Sequence, residues 1–197
     1  MQQRIIDTIH QSIETKMQAG EVLTPLIADA SQLMVNRLLE GKKILVAGNG
    51  TSAALGQVFV SNLMNRLSHE RPSLPALNIA ADGACLTAIS ADTTFNDVFA
   101  KQIRALGQAG DLLLLLSSDG NGNNLVQAVS AAHDREMTVI ALTSTQVGEF
   151  SRLLDINDME LRVPSPSNIH THEVHLLTIF CLCDLIDFQL FGAQETL

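Results

Sequence analysis

KILVAGNGTSAAL (residues 43–55) and DLLLLLSSDGNGNNL (residues 111–125) follow one plan: an apolar run, a loop of Gly, Ser, Thr and Asn, then the start of a helical pattern. A run that is apolar at every position suits a strand buried on both faces, as in a parallel sheet. Glycine lets the chain turn sharply and lets a ligand approach the backbone N–H groups. The helix that follows offers unpaired N–H groups and the positive end of its dipole, which favour an anion. In open α/β sheets such loops lie at the carboxyl ends of the strands, where ligands collect. Asn49, Gly50, Thr51 and Ser52 are therefore candidate ligand residues in the first loop, and Ser117, Ser118, Gly120 and Asn124 in the second. A tight capped turn uses the same residue types, but two loops of matching design favour a phosphate cradle. Neither loop is a dinucleotide fingerprint, since G-x-G-x-x-G is absent, and neither carries the Walker lysine.

Asp119 works against a phosphate at the second loop. Two unit charges ~4 Å apart repel by ~4 kcal/mol at a near-surface dielectric. Either Asp119 points away as a cap or turn residue, or this loop holds phosphate poorly.

Upstream, Ile5, Ile9, Ile13 and Met17 recur every four residues, and a second apolar pattern runs from Val22 to Leu38, so residues 1–40 read as N-terminal helices. Residues 51–67 return to helical spacing, and the prolines of ERPSLPALNIA precede a short strand at 76–79. Residues 82–106 read as short helices, 124–134 as a helix and 137–142 (MTVIAL) as a buried strand. Residues 158–163 (DMELRV) alternate like an edge strand, stopped by Pro164 and Pro166. Residues 169–191 are apolar on nearly every face, so that helix belongs in a core or between subunits, and its terminal place favours a subunit interface. Strands alternating with helices imply parallel βαβ units in a doubly wound α/β sheet. The expected organisation is one domain over residues 1–197: helices at 1–40, an α/β core at 41–166, and a C-terminal helix and tail at 167–197.

The length, 197 residues, suits one domain with a sizeable core. Apolar residues make up 46%, yet no charge-free run approaches the ~20 residues that span a bilayer. The opening MQQRIIDTIHQSIE carries acids and lacks the apolar stretch of a secretory signal. Three cysteines without a CxxC suit reduced thiols in a cytosol. A net charge of −9 argues against a broad basic surface for nucleic acid, and the lack of Trp and Tyr argues against stacking platforms. A cytoplasmic protein with no membrane and no direct nucleic-acid partner is the expectation.

His170, His172 and His175 cluster around Glu173. An i,i+3 pair shares a helix face and could ligate a metal, but no fourth ligand is evident, which favours histidines bonded to backbone or to a neighbouring subunit. We expect no metal and no cofactor. Cys181 and Cys183, at i,i+2, do not share a face and read as core residues. Leu190 and Phe191 lie where the last helix should run into solvent, as a partner contact or as a cap folded back on the assembly.

AGNGTSAA, LSSDGNGNNL and TVIALT together resemble the sugar isomerase (SIS) domain, over nearly the whole chain. RPSLPAL, Phe95-Asn96-Asp97, AGDLLLLLS and His172-Glu173-Val174-His175 are similar to the phosphoheptose isomerase group. The resemblance implies a five-stranded, flavodoxin-like sheet, phosphosugar binding, and a homotetramer joined through its N- and C-terminal helices. Isomerases of this group rearrange sedoheptulose 7-phosphate, many with zinc. Their metal-ligating and proton-moving positions fall here on Val58, Asn62, His172 and Phe180, and two serines of the second loop on Asp119 and Gly122. A valine cannot ligate a metal and a phenylalanine cannot carry a proton, so no catalytic residue is assigned. ERPSLPA, DVFAKQIRALGQAGD, CLCDLID and Leu190-Phe191 resemble a non-enzymatic branch of the group, tetramers that bind the replication initiator DnaA at the chromosomal origin. That resemblance implies an adaptor; the alternatives are an isomerase with an altered site and a sugar-phosphate sensor.

Overall fold

The five consecutive leucines after Asp111 are all buried, and they divide between two cores. Successive strand residues point to opposite faces. Leu112, Leu114 and Leu116 join Ile44, Val46, Ile140 and Leu142 on one side of the sheet. Leu113 and Leu115 join Leu45, Ala47, Val139 and Ala141 on the other.

The structure is a computed structural model and describes residues 1–146 and 148–192. Its strands are β1 (Ile44–Gly48), β2 (Ala76–Asn78), β3 (Leu112–Leu116), β4 (Thr138–Ser144) and β5 (Met159–Val163). All pair in parallel, in the order β2-β1-β3-β4-β5. The helices are α1 (Gln2–Leu39), α2 (Thr51–Met64), α3 (Gly83–Asp92), α4 (Val98–Leu106), α5 (Asn123–Asp134) and α6 (Asn168–Phe191). α1, α2 and α6 cover the first face, with α4 and α5 on the second. This is the doubly wound parallel sheet read from the sequence, with β5 at an edge as its alternation implied.

One element differs. Residues 2–39 form a single helix of 38 residues, continuous from the first apolar pattern into the second and with Pro25 inside it. Proline removes the bond to the carbonyl four residues back, which is Glu21 on the exposed side, where water can serve it. Beyond Pro25, Ala30, Met34 and Val35 anchor α1 in the first core, where it packs along α6. The first half is barer: Ile5, Ile9, Ile13 and Met17 are all exposed.

α6 is long and apolar enough by composition to cross a bilayer. Here Val174, Ile179, Leu182, Cys183 and Ile186 are packed into the first core, while Ile169, Leu177, Phe180 and Phe188 remain exposed. Arg71 ties the end of this helix down. Its side chain is almost fully buried, donates to Asp187 Oδ1 at 2.8 Å and to the carbonyls of Asn62, Leu63 and Pro72, and lies 5.9 Å over the Phe191 ring.

At the amino ends of the strands two buried carboxylates act as staples. Asp111 accepts from the Lys43 and Gln108 backbone N–H groups and pairs with the Lys43 ammonium. Asp158 accepts from the N–H groups of Val139 and Asp155 and faces His133 Nε2 at 2.7 Å.

Candidate ligand cavity at the switch point

From β1 the chain moves outward to β2, then returns past β1 to continue from β3 in the opposite direction. Such a reversal opens a crevice at the carboxyl ends of the two strands on either side of it. The loops after β1 and β3, singled out from the sequence, lie at that point.

Gly50 has a φ of +54° and precedes α2; Gly120 and Gly122 have φ of +68° and +128° and precede α5. Side chains other than glycine rarely adopt these conformations. Neither α2 nor α5 has a side-chain cap, whereas α3 and α6 are capped by Asp82 and Ser167. α1 and α4 also begin without a side-chain cap, so the missing caps do not by themselves set the crevice helices apart. Asn49 and Asn124 clasp the loops together through reciprocal amide hydrogen bonds of 3.0 and 2.8 Å.

A cavity of about 180 Å³ lies between the loops. Asn49, Thr51, Ser52, Ser117 and Ser118 line it, joined by Asp119, Asn121 and His172. Gly50 and Gly120 shape the turns, and Asn124 is buried with its amide committed to Asn49. Asp119 does not point away from the cavity. It is a turn residue, its Oδ1 accepting from the Ser117 hydroxyl and the Asn121 N–H at 3.0 Å each, and it also lines the cavity. Ser117 Oγ in turn accepts from the Gly120 N–H at 3.0 Å.

The three histidines of α6 have separate surroundings. His170 Nδ1 lies 3.1 Å from Glu173 Oε2. His172 forms a wall of the cavity, with Nε2 3.5 Å from Ser52 Oγ; burial lowers its pKa, and the charge of Asp119 offsets part of that. His175 is buried, donates from Nε2 to the Thr143 carbonyl at 3.0 Å, and is pushed down to about 4 by burial, so it is neutral at pH 7. Val58 packs against the first core, Phe180 is exposed, and neither they nor Asn62 lines the cavity. Among the described residues, the group whose atoms could converge on a metal is His133, Asp155 and Asp158, at the opposite end of the sheet, where Asp158 is already bonded to backbone. Burial raises both thiols of α6, Cys183 to about 12; Cys183 lies in the first core as read from the sequence, whereas Cys181 is only partly buried and lies outside that core. Leu190 and Phe191 are half-buried against the first core, Phe191 beneath Arg71, so only part of each is open to a partner.

The resemblance placed His172 at an isomerase metal-ligand position without showing that it walls this cavity, and the clasp between Asn49 and Asn124 was not foreseen. The available signal was the placement of His172 near the start of a helix, since a helix following β5 returns past the strand ends.

A flavodoxin-like strand order with a polar cavity between two Gly-rich loops at the switch point defines the class: a doubly wound α/β protein with a polar cavity at the carboxyl edge of its sheet. The SIS domain family matches residues 8–144, and the chain belongs to that family. It is 53% identical to a phosphoheptose isomerase of Chromohalobacter salexigens, over 98% of both chains. It is 48% identical to the DnaA initiator-associating protein DiaA of Photorhabdus laumondii, over 99% of this chain and 100% of that one. Among solved structures, a phosphoheptose isomerase from Francisella tularensis superposes with a TM-score of 0.92 at 42% identity, covering 94% of this chain and 97% of the other.

Proposed function

We propose that this chain is a non-catalytic SIS-domain adaptor, a cytoplasmic homotetramer that binds a DnaA-type replication initiator and promotes initiation of chromosomal replication. The observation that carries this reading is the chemistry at the isomerase positions. Val58 and Phe180 can neither bind a metal nor move a proton, and with Asn62 they lie outside the cavity. The end-to-end match to a relative named for DnaA association supports the same reading. The exposed isoleucines of α1 and the exposed Phe180 and Phe188 of α6 supply apolar surface for subunit contacts. A tetramer repeats one weak site several times, so avidity multiplies its affinity. Leu190 and Phe191 are the proposed partner contact through their open sides.

The test is capture of purified DnaA, with the Leu190→Ala and Phe191→Ala variants alongside. Retention of the tetramer with undiminished DnaA capture in both variants would remove these residues from the contact, and no capture by the unaltered chain would remove the adaptor reading. A second reading, an isomerase with an altered site, draws on Asp119 and His172 as a carboxylate and imidazole facing one cavity, and on the relative named as an isomerase. Turnover of sedoheptulose 7-phosphate would place it first.

A further inference from the structure

An anion cradle works by presenting hydroxyl and N–H donors that have no acceptor within the protein. In the second loop the acceptor is supplied from within. Asp119 Oδ1 takes the Ser117 hydroxyl and the Asn121 N–H, and Ser117 Oγ takes the Gly120 N–H. These are the kinds of donor that a phosphate oxygen would collect. Among the described residues no lysine or arginine lines the cavity, so only the N-terminal ends of α2 and α5 offset the carboxylate when a dianion approaches. The side chains left for a ligand include the hydroxyls of Thr51, Ser52 and Ser118, the Asn121 amide and the ring of His172, together with the open edge of Asp119.

We propose that Asp119 is a built-in occupant of the anion cradle: it consumes donors that a phosphate ester needs, holds the loop in its turn without a ligand, and directs the cavity toward ligands that carry no negative charge. This rests on the cavity being a ligand site, and not on the DnaA role. It makes Asp119 a specificity-determining residue that acts by occupying the donors of others.

The experiment uses the full chain and inorganic phosphate as probe. Asp119→Asn keeps an oxygen at Oδ1 to accept the same two hydrogen bonds and removes only the charge, and Asp119→Ser also frees the donors. Thermal unfolding is followed in millimolar phosphate against chloride at matched ionic strength, with calorimetric titration for affinity. Phosphate strengthens burial in any protein by exclusion from its surface, so the unaltered chain is the baseline for that general effect. A ligand held only by the folded state raises its stability by mass action. The expected result is binding at least about tenfold tighter in Asp119→Asn than in the unaltered chain, because one repulsive charge has gone, and no weaker in Asp119→Ser. Equal affinity in all three proteins, or no binding by any, would overturn the proposal. Loss of the folded state in both variants would make Asp119 a structural turn residue and overturn it too. Failure of DnaA capture leaves each of these outcomes readable.

Discussion

Asp111 and Asp158, at the amino end of the sheet, and Asp119, at the carboxyl end, all accept backbone N–H bonds, yet they serve different purposes. The first two have side chains only 1% exposed, and each gathers two backbone N–H groups plus a cationic or imidazole partner. Asp119 sits in a loop beside a cavity, its bonds fall on one oxygen, and among the described residues no lysine or arginine lines that cavity. A carboxylate with both oxygens satisfied and no water access is a staple. One with an oxygen left facing a cavity sets what the cavity accepts. The difference lies in burial and in the number of donors, not in residue type.

The sharpest way to break this contrast is to remove a staple. Asp111→Ala strands the Lys43 and Gln108 N–H groups and the Lys43 ammonium, and should cost about 4 kcal/mol in urea unfolding. A loss under about 1 kcal/mol would reduce that end of the sheet to an ordinary surface. Next in size is a pH effect from His175. Its folded pKa of about 4 lies below the ordinary imidazole value of 6.5. The unfolded chain therefore takes up the proton first, so the contribution is constant above pH 6.5 and is lost as pH falls toward 4. The loss should total about 3 kcal/mol, and His175→Gln should flatten that part of the stability profile. An unchanged profile would show that the ring is not held neutral by its burial.

The carboxyl end should yield smaller numbers. Asn49→Ala leaves the buried Asn124 amide without its partner, and should cost about 1–2 kcal/mol. The cycle with Asn124→Ala should show a coupling of about 1 kcal/mol, and zero coupling would mean that the loops are held by packing alone. Asp119→Asn is expected to move stability least, within about 0.5 kcal/mol, while changing phosphate affinity as set out above.

Much of the scaffold was legible because burial on both faces leaves an unmistakable mark: residues 44–47 and 112–116 need apolar side chains at every position. The turn glycines then located both loops of the cavity. Residues 2–39 were harder, because the apolar pattern ending at Met17 and the one starting at Val22 read as separate helices, and only the packing of Ala19 and Leu23 into the first core shows one continuous helix. The site was legible in its loops and opaque in its walls. His172 meets Ser52 from 120 positions away, and His133 meets Asp158 from 25, distances that only the packed fold closes. Asp119 was visible as an anomaly, but which donors it takes depends on loop geometry that no local pattern encodes.

Gly148 comes against Gly120 so closely that a Cβ on it would overlap the Gly120 carbonyl, and a Cβ on Gly120 would come within 2.6 Å of the Gly148 nitrogen. The loops after β3 and β4 therefore cannot be re-engineered one at a time. A library meant to give this cavity a new ligand should keep both glycines and vary 118, 119 and 121. Diversity placed at 120 or 148 would be spent on chains whose loops no longer meet.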